Sequence, residues 1–476
     1  MAVREVCFEL KDHSSLQFEA ARYFSPTTSK SRDAAPQAAR LTEQFLHQNR
    51  RIFELLQIRA QRDYDGRDVI IRLESAGITG AVPLVSPISA RQDFGLIVQP
   101  RFEWAGLGPM LAEMGWRVAP TPLKLPMLRR SERRVPPWVI SLMVLSRMQA
   151  LLTQLDRRFE AVTEERSAPK GSVQWSEYAT RNLPRARFLA VPCSYPDLRD
   201  DRLLRGAIRH TLELQVRSLE GQRQHGGFVH RLMELAENLL HQVRDVRPLR
   251  PAPATIQGWL RRPMRHQSFL DGLQAIEWVM DERGLAGTSD LDGIPWTMPM
   301  DAFFEAWVET VLHAVARGSG GELKTGRRQQ TTVPIQWDPP YLGSQRSLKP
   351  DLILQGHDWS LVVDAKYKRH WEELQRTSWQ EFDAWMRDDH RHDLLQVLAY
   401  ANLSPRPHTI CCLAYPCTLD RYQSLCERGR LFHQADIPVQ GRRLQLWLTA
   451  IPMHADPVTI AGPLIQQIRL ATAQAA

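Results

Sequence analysis

The sequence lacks any uninterrupted apolar run long enough to cross a membrane. Its most apolar long stretch, residues 138–155, is broken by Ser141, Arg147 and Gln149, and this pattern predicts a buried amphipathic helix. The first ten residues mix charged and apolar side chains, which does not fit a cleavable export signal. We therefore expect a cytoplasmic protein without a membrane partner.

Cysteine is scarce as well. Six cysteines in 476 residues provide no disulfide framework, and reduced thiols fit the cytoplasm. Cys411, Cys412, Cys417 and Cys426 cluster near the carboxy-terminus, so iron–sulfur ligation is one hypothesis. We favour core filling, because Cys411 and Cys412 are neighbours in an apolar run and would point to opposite faces of a strand.

Acidic residues are fewer than basic ones, with 53 Asp and Glu against 61 Lys and Arg and a formal net charge of +8. This balance favours a polyanionic partner such as nucleic acid without identifying it. Basic stretches at residues 129–134 and 244–265 could hold DNA phosphates, with Trp259 stacking or packing beside them. The alternative is ordinary solvated surface, and we favour it for each stretch.

The length of the chain predicts two or three domains. Residues 1–130 alternate short β-like runs with turns, and a basic, proline-bearing stretch ends this region. Residues 131–290 show mainly helical spacing, with a short extended excursion at residues 172–178. We therefore predict a mixed amino-terminal domain and a helical middle domain, followed by a third domain at residues 291–476.

The third domain has the element order of an α/β core. A helix is predicted over residues 300–317, then β-like runs at 331–337, 348–354 and 360–366, and then a further helix and strands. The whole chain is accordingly predicted to be an α/β protein of the α+β multidomain kind, with a mixed sheet flanked by helices in its last part.

The chemistry is expected where the third of these strands ends. Leu361, Val362 and Val363 form an apolar run typical of a buried strand, yet Asp364 and Lys366 follow it and lie on the same face. If the preceding hairpin turns at residues 355–358, Asp351 faces Val362. Asp364 is then a diagonal neighbour of Asp351 at roughly 7 Å, close enough for a bridging cation.

Two carboxylates and an ammonium at one strand end need water, a cation or each other. Mg²⁺ prefers oxygen ligands, so Asp351 and Asp364 are the candidate metal ligands, and Mn²⁺ is expected to substitute for Mg²⁺. Lys366 would orient or deprotonate the attacking water. The alternative is a solvated strand end in which Asp364 pairs with Lys366 or Lys368.

Two helices carry further candidates. Glu305 lies in the first turns of the helix at 300–317 and is the candidate third carboxylate and metal ligand, with Glu309 as its competitor one turn on. Gln396 and Tyr400 place an amide and a phenol at i and i+4 on one helical face. Taken alone, each of these two helical features is common and also has an ordinary structural explanation.

Taken together, the motifs resemble those of the McrC family, which has a PD-(D/E)XK nuclease domain. The resemblance is carried by the segments Phe304-Glu305-Ala306-Trp307-Val308, Lys349-Pro350-Asp351-Leu352-Ile353-Leu354, Val363-Asp364-Ala365-Lys366-Tyr367-Lys368 and Asp393-Leu394-Leu395-Gln396-Val397-Leu398-Ala399-Tyr400-Ala401, in which Asp393 is given no role of its own. A fainter similarity reaches the segment Gln99-Pro100-Arg101, where the family usually has Pro-Lys.

The resemblance implies a restriction-endonuclease-like PD-(D/E)XK fold for residues 291–476 and hydrolysis of DNA phosphodiesters. It places Gln396 and Tyr400 beside the active site and the scissile strand. It also implies a hexameric AAA+ partner of the McrB kind, which the amino-terminal domain engages and stimulates.

Nucleotide chemistry is expected to come from the partner. Residues 318–325 resemble a phosphate-binding loop, but Leu323 replaces the glycine before Lys324, and a strand is predicted to follow. We interpret the stretch as a helix terminator. Two other functions stay open: a scaffold that activates the AAA+ motor with little cutting of its own, and a nuclease of the same fold in DNA repair.

Overall fold

The computed structural model describes residues 6–24, 34–66, 68–123, 125, 136–155, 158–199, 201–261, 267–281, 284–285, 293–339, 341, 343–368 and 384–473. The chain divides into two compact units, each taken here by itself. One comprises Met1–Pro136 with Gly284–Ala476, and the other is Pro137–Arg283. No helix in these described ranges is both long enough and apolar enough to span a membrane.

The first part of the larger unit is mixed α/β. Its strands are β1 (Val6–Lys11), β2 (Ser15–Glu19), β3 (Ile58–Asp65), β4 (Asp68–Ser75), β5 (Ile78–Leu84), β6 (Phe94–Gln99) and β7 (Thr121–Pro122). Its helices are α1 (Ala20–Phe24), α2 (Ala34–Leu55) and α3 (Trp104–Glu113). Stacked and edge-on aromatic rings of Phe8, Phe45 and Phe94 lie in its core.

The smaller unit combines helices with a three-stranded sheet. Its elements are α4 (Trp138–Thr153), β8 (Arg158–Arg166), β9 (Ser172–Val173), α5 (Trp175–Glu177), β10 (Val191–Arg199), α6 (Arg202–Glu220), α7 (Phe228–Gln242), α8 (Pro253–Leu260) and α9 (Gln267–Met280). As expected, α4 is buried, although on nearly every side. The extended excursion predicted at residues 172–178 is a strand only at Ser172–Val173, and Trp175–Glu177 is helical. The main strands of this unit lie on either side of it, where β8 and β10 pair over nine residues each.

The last part of the larger unit contains the candidate site. Its elements are β11 (Gly284–Leu285), β12 (Gly293–Ile294), β13 (Trp296–Pro299), α10 (Met300–Ser319), β14 (Glu322–Thr325), β15 (Val333–Pro334), β16 (Ser347–Leu348), β17 (Leu352–Gln355), β18 (Trp359–Ala365), α11 (Ala384–Ala401), β19 (His408–Cys417), α12 (Leu419–Glu427), β20 (Phe432–Val439), β21 (Arg442–Pro452) and α13 (Pro457–Ala473).

Six of these strands form one mixed sheet in the order β14-β17-β18-β19-β21-β20. The three strands β18, β19 and β21 run parallel, and the other neighbours are antiparallel. Every residue of β19 is buried, as expected for a central strand covered on both faces. Helix α10 packs on α13, and α11 packs on β18 and β19.

The structure corrects one sequence-based strand assignment and confirms a neighbouring turn. A strand was expected over residues 331–337, but only Val333–Pro334 is extended, in a small hairpin with β16 outside the main sheet. The sheet edge is β14 instead, which occupies the second half of the stretch at residues 318–325. There Gly320 ends α10 in a left-handed conformation with φ +71°, so the helix-terminator interpretation of this stretch is confirmed.

The sheet of the amino-terminal strands also includes β13, in the order β1-β6-β5-β13-β7. Residues Trp296–Pro299 pair with β5 immediately before α10 begins. The amino-terminal strands and the helix that carries Glu305 are therefore joined through one sheet, and they belong to the same compact unit.

Candidate active site

The hairpin of β17 and β18 brings the two aspartates closer together than predicted. Leu352 pairs with Val363, and Gln355 pairs with Ser360. The same register continued by one residue sets Asp351 directly opposite Asp364, rather than diagonal to it. The turn lies one residue later than expected, at residues 356–359, with the amide of Gly356 donating to the Trp359 carbonyl at 3.0 Å.

The turn position has a steric cause. A Cβ atom on Gly356 would lie 2.3 Å from the indole ring of Trp359, so a glycine is needed where the ring folds back over the turn. A second close approach holds Asp351 from the other side, where the amide of Gly326 donates to the Asp351 carbonyl at 2.7 Å.

Asp351 and Asp364 form a crowded pair of acids. Asp364 is only 1% exposed, and Asp351 Oδ2 accepts a hydrogen bond from the Ala365 amide at 3.0 Å. Burial, followed by the nearby carboxylates of Asp364 and Glu305, raises the pKa of Asp351 to about 8. Such a rise indicates negative charge concentrated in a poorly solvated place, which a cation would relieve.

Lys366 links the two aspartates to α11. Its Nζ lies 2.8 Å from Asp364 Oδ2 and donates to Gln396 Oε1 at 2.9 Å. Gln396 Nε2 in turn donates to the Tyr400 hydroxyl at 3.0 Å. Burial alone would lower the pKa of Lys366, but Asp364 and the other nearby carboxylates outweigh it, and the pKa is raised. The side chain is therefore an ammonium at neutral pH.

The two glutamates of α10 differ in their partners. Glu309 is 2% exposed and is neutralised by Arg117 at 2.8 Å and Arg327 at 3.3 Å. Burial, opposed by Lys349, raises the pKa of Glu305, and Asp364 contributes to the rise. Glu305 is thus the glutamate whose charge is felt at the aspartate pair, whereas Glu309 is already compensated.

The donor set fits a divalent metal ion in its chemistry. Asp351, Asp364 and Glu305 provide oxygen ligands of the kind that Mg²⁺ and Mn²⁺ take, and burial together with neighbouring carboxylates raises the pKa of both Asp351 and Glu305. Within the described residues, no group of three or more His, Cys, Asp or Glu side chains is already arranged around one ion position. The two facing aspartates are therefore the fixed part of the candidate site.

Asp393 is a site residue that sequence reasoning missed. It is 5% exposed, pairs with Lys368 Nζ at 2.8 Å and lies 3.8 Å from Lys366 Nζ. The available signal was its position three residues before Gln396 on the same helical face. Asp393 therefore belongs to the polar network around both lysines.

The cysteines behave as the core-filling interpretation predicts. Cys411 and Cys412 lie in β19 and are buried. Burial raises the pKa of Cys411 to about 12 and that of Cys412 further still. A thiolate ligand would be costly at these two positions.

The structure adds little support for DNA binding by the two basic stretches. Residues 129–134 lie outside the described residues. In the second stretch, Trp259 is only 4% exposed and lies in α8, so it packs rather than offering a face for stacking.

The fold and the site together define a multidomain α/β protein with an acid–lysine cluster at the end of a mixed sheet. The sequence pattern of the family described as "McrBC 5-methylcytosine restriction system component" matches residues 91–416. The chain belongs to this family, as its resemblance to McrC implied.

Other comparisons are more distant. No curated protein matches the chain significantly. A refined half-complex from a tetradecameric assembly of Thermococcus gammatolerans McrB AAA+ hexamers with bound McrC matches at 14% identity and a TM-score of 0.39, covering 97% of this chain and 99% of that one. The Thermococcus gammatolerans McrBC complex matches at 12% identity and a TM-score of 0.26, covering 65% of this chain and 88% of that one.

Proposed function

We propose that this chain is the DNA endonuclease subunit of a McrBC-type restriction system and hydrolyses DNA phosphodiesters with the help of Mg²⁺. The observation that carries the proposal is the pair Asp351 and Asp364, opposite each other on adjacent strands, with the Lys366 ammonium 2.8 Å from Asp364. Family membership supports the restriction system over a role in DNA repair.

Each side chain has a role in this reaction. Asp351 and Asp364 would hold the metal ion with help from Glu305, and the ion supplies Lewis-acid activation of the phosphate and of water. Lys366 orients the attacking water and stabilises the charge that develops on the phosphate, because its raised pKa keeps it protonated. Gln396 and Tyr400 hold the ammonium in place.

Basic and aromatic side chains beside the aspartates support DNA as the substrate. Lys349, Arg327 and Arg328 are exposed on the segments that flank Asp351. The hairpin of β15 and β16 leads directly into Lys349 and carries the exposed rings of Trp337 and Tyr341, at 43% and 59% exposure. Cations that contact phosphates and rings that stack on bases are the usual means of holding a DNA strand.

A second proposed role of the chain is to bind and activate a AAA+ NTPase of the McrB kind. The resemblance to McrC implies that the amino-terminal domain engages this motor, and the smaller unit offers an additional candidate surface. Large apolar side chains that would ordinarily be buried are exposed between β9 and β10: Trp175 at 68%, Phe188 at 61% and Leu189 at 77%. A cluster of this kind indicates a surface for another protein. The known complex of McrB hexamers with bound McrC makes such a motor the expected partner of this chain.

The test is cleavage by the full chain together with a AAA+ protein of the McrB kind. Methylated and unmethylated plasmid would be incubated with nucleotide and Mg²⁺. We expect the wild-type chain to cut the methylated plasmid and Asp364→Asn to cut neither, while both stimulate nucleotide hydrolysis equally. Cleavage by Asp364→Asn at the wild-type rate would overturn the nuclease assignment and leave only the activator role.

A further inference from the structure

Two segments far apart in the sequence meet at Tyr367, the residue that follows Lys366. Asp12 comes directly after β1, and Arg101 follows shortly after β6. The Tyr367 hydroxyl donates to Asp12 Oδ2 at 2.6 Å, and the Arg101 amide donates to Asp12 Oδ1. Asp12 and Tyr367 are 1% and 2% exposed, so these contacts are closed to solvent.

Arg101 holds the same tyrosine from its ring face. Its guanidinium carbon lies 4.7 Å from the centre of the Tyr367 ring, and Nη2 donates to the Lys368 carbonyl at 3.3 Å. Only 10% of the Arg101 side chain is exposed. We call Asp12, Arg101 and Tyr367 the tyrosine clamp.

The clamp holds a segment that lies beyond the end of strand β18. Strand β18 ends at Ala365, so Lys366 and the next two residues lie beyond the regular ladder. On one side, the Lys366 amide donates to the Ala414 carbonyl of β19 at 2.9 Å. The clamp fixes the other side of the same three-residue segment, and Lys366 extends from between these two anchors.

Because the contacts of the clamp are polar, they fix the orientation of Tyr367 as well as its position. Burial raises the pKa of Asp12, against the opposing effects of Tyr367 and Arg101, so the carboxylate is costly to bury and depends on these two partners. An apolar contact would hold the segment without fixing its rotation. A short hydrogen bond together with a ring–cation contact fixes both the position of Tyr367 and the direction in which the chain passes it.

We propose that Asp12 and Arg101 are positioning residues for DNA cleavage, which hold Tyr367 so that the Lys366 ammonium stays against Asp364 and Gln396. This inference rests on the proposed nuclease function. In this account the amino-terminal strands supply part of the active-site geometry.

The first test compares Tyr367→Phe with Tyr422→Phe. Tyr422 is also a buried tyrosine of the larger unit, and its hydroxyl donates to the Ile460 carbonyl at 3.1 Å, so it is a matched control away from the aspartates. The full chain with its AAA+ partner would cleave methylated plasmid under single-turnover conditions with saturating DNA. We expect Tyr367→Phe to lower the rate about tenfold or more with DNA affinity unchanged, because small misplacements of a reacting group are costly. Tyr422→Phe should cut like the wild type.

The second test asks whether the clamp works as one unit. Asp12→Ala removes the acceptor and Tyr367→Phe removes the donor of the same hydrogen bond, so the double variant should be no slower than the slower single variant. Arg101→Lys keeps the charge but loses the planar ring contact. We expect its rate to fall between those of the wild type and Arg101→Ala.

The outcomes separate this inference from the function on which it rests. If the wild type and Asp364→Asn both fail to cut, the proposed function is wrong. If Asp364→Asn alone fails, and Tyr367→Phe cuts at the wild-type rate per folded molecule, the clamp inference is wrong and the nuclease assignment stands. Losses that multiply in the double variant would also overturn the clamp as a unit.

Discussion

Replacing Asp351 by asparagine should stabilise the metal-free chain while removing its response to metal. The pKa of Asp351 is raised from 3.8 to about 8 by burial and by the carboxylates of Asp364 and Glu305. Between these two pH values the folded chain keeps a proton that the unfolded chain releases. Stability without metal therefore falls as the pH rises through this window.

The magnitude follows from the shift. About four pH units at about 1.4 kcal/mol each set an upper limit of about 6 kcal/mol. Relaxation around the site and sharing of the proton with Asp364 reduce this, so we expect Asp351→Asn to recover about 1–3 kcal/mol at pH 8. At about 2–4 °C per kcal/mol for a large domain, Tm should rise by several degrees. Asparagine can still accept the hydrogen bond from the Ala365 amide.

The assay is thermal unfolding at several pH values from 5 to 9, in EDTA and in millimolar Mg²⁺ or Mn²⁺. The wild-type Tm should fall with rising pH in EDTA and recover with metal, whereas Asp351→Asn should show neither effect. Asp436→Asn is the control, because Asp436 lies in β20 at the far edge of the sheet. The reasoning is refuted if Asp351→Asn destabilises the metal-free chain at pH 8 or keeps the wild-type response to metal.

Three further predictions follow from the contacts of the site. Gln396→Ala removes the side-chain amide that accepts a hydrogen bond from the Lys366 ammonium. It should slow cleavage about tenfold in single-turnover assays while leaving DNA binding, measured by fluorescence anisotropy, unchanged. An unchanged cleavage rate would contradict this prediction. Glu305→Gln should abolish cleavage with little change in Tm. Glu309→Gln removes the carboxylate that pairs with Arg117 and Arg327 and should lower the free energy of unfolding by about 1–3 kcal/mol. The reverse pattern would make Glu309 the third carboxylate. Trp337→Ala should weaken DNA binding by about 1–3 kcal/mol if the exposed ring stacks on a base, and wild-type affinity would remove the hairpin from the DNA surface.

The parts of the site that sequence predicts are those that depend on local periodicity. Strand alternation places Asp364 and Lys366 on one face, and helical spacing places Gln396 beside Tyr400, and the hydrogen bonds among Lys366, Gln396 and Tyr400 agree with both. The buried strands β18 and β19 could be predicted from their continuous apolar runs, which are typical of central parallel strands.

The hairpin register was harder to predict, because strand periodicity does not determine the position of the turn. The Trp359 indole lies against Gly356, and the turn falls one residue later than predicted, which shifts the pairing by two residues. The parity of the strand is kept, so Asp351 still faces the correct side. The sequence therefore predicts which acids meet, and the tertiary contact decides how closely.

Contacts between distant segments had no sequence signal. Asp12 and Tyr367 are separated by 355 positions, and no periodicity relates them. Likewise, the choice between Glu305 and Glu309 depends on Arg117 and Arg327, which approach α10 from two other places in the chain. Such compensation becomes visible only when the fold brings the cations to the helix.

The most direct test of the account is a crystal structure of the chain soaked with Mn²⁺, with anomalous diffraction used to locate the ion. The account predicts an anomalous peak between the carboxylates of Asp351 and Asp364, on the side that faces Glu305, and none in crystals of Asp364→Asn. A fully soaked crystal with no peak at these aspartates, or with Mn²⁺ bound only elsewhere, would contradict the proposed metal-dependent cleavage.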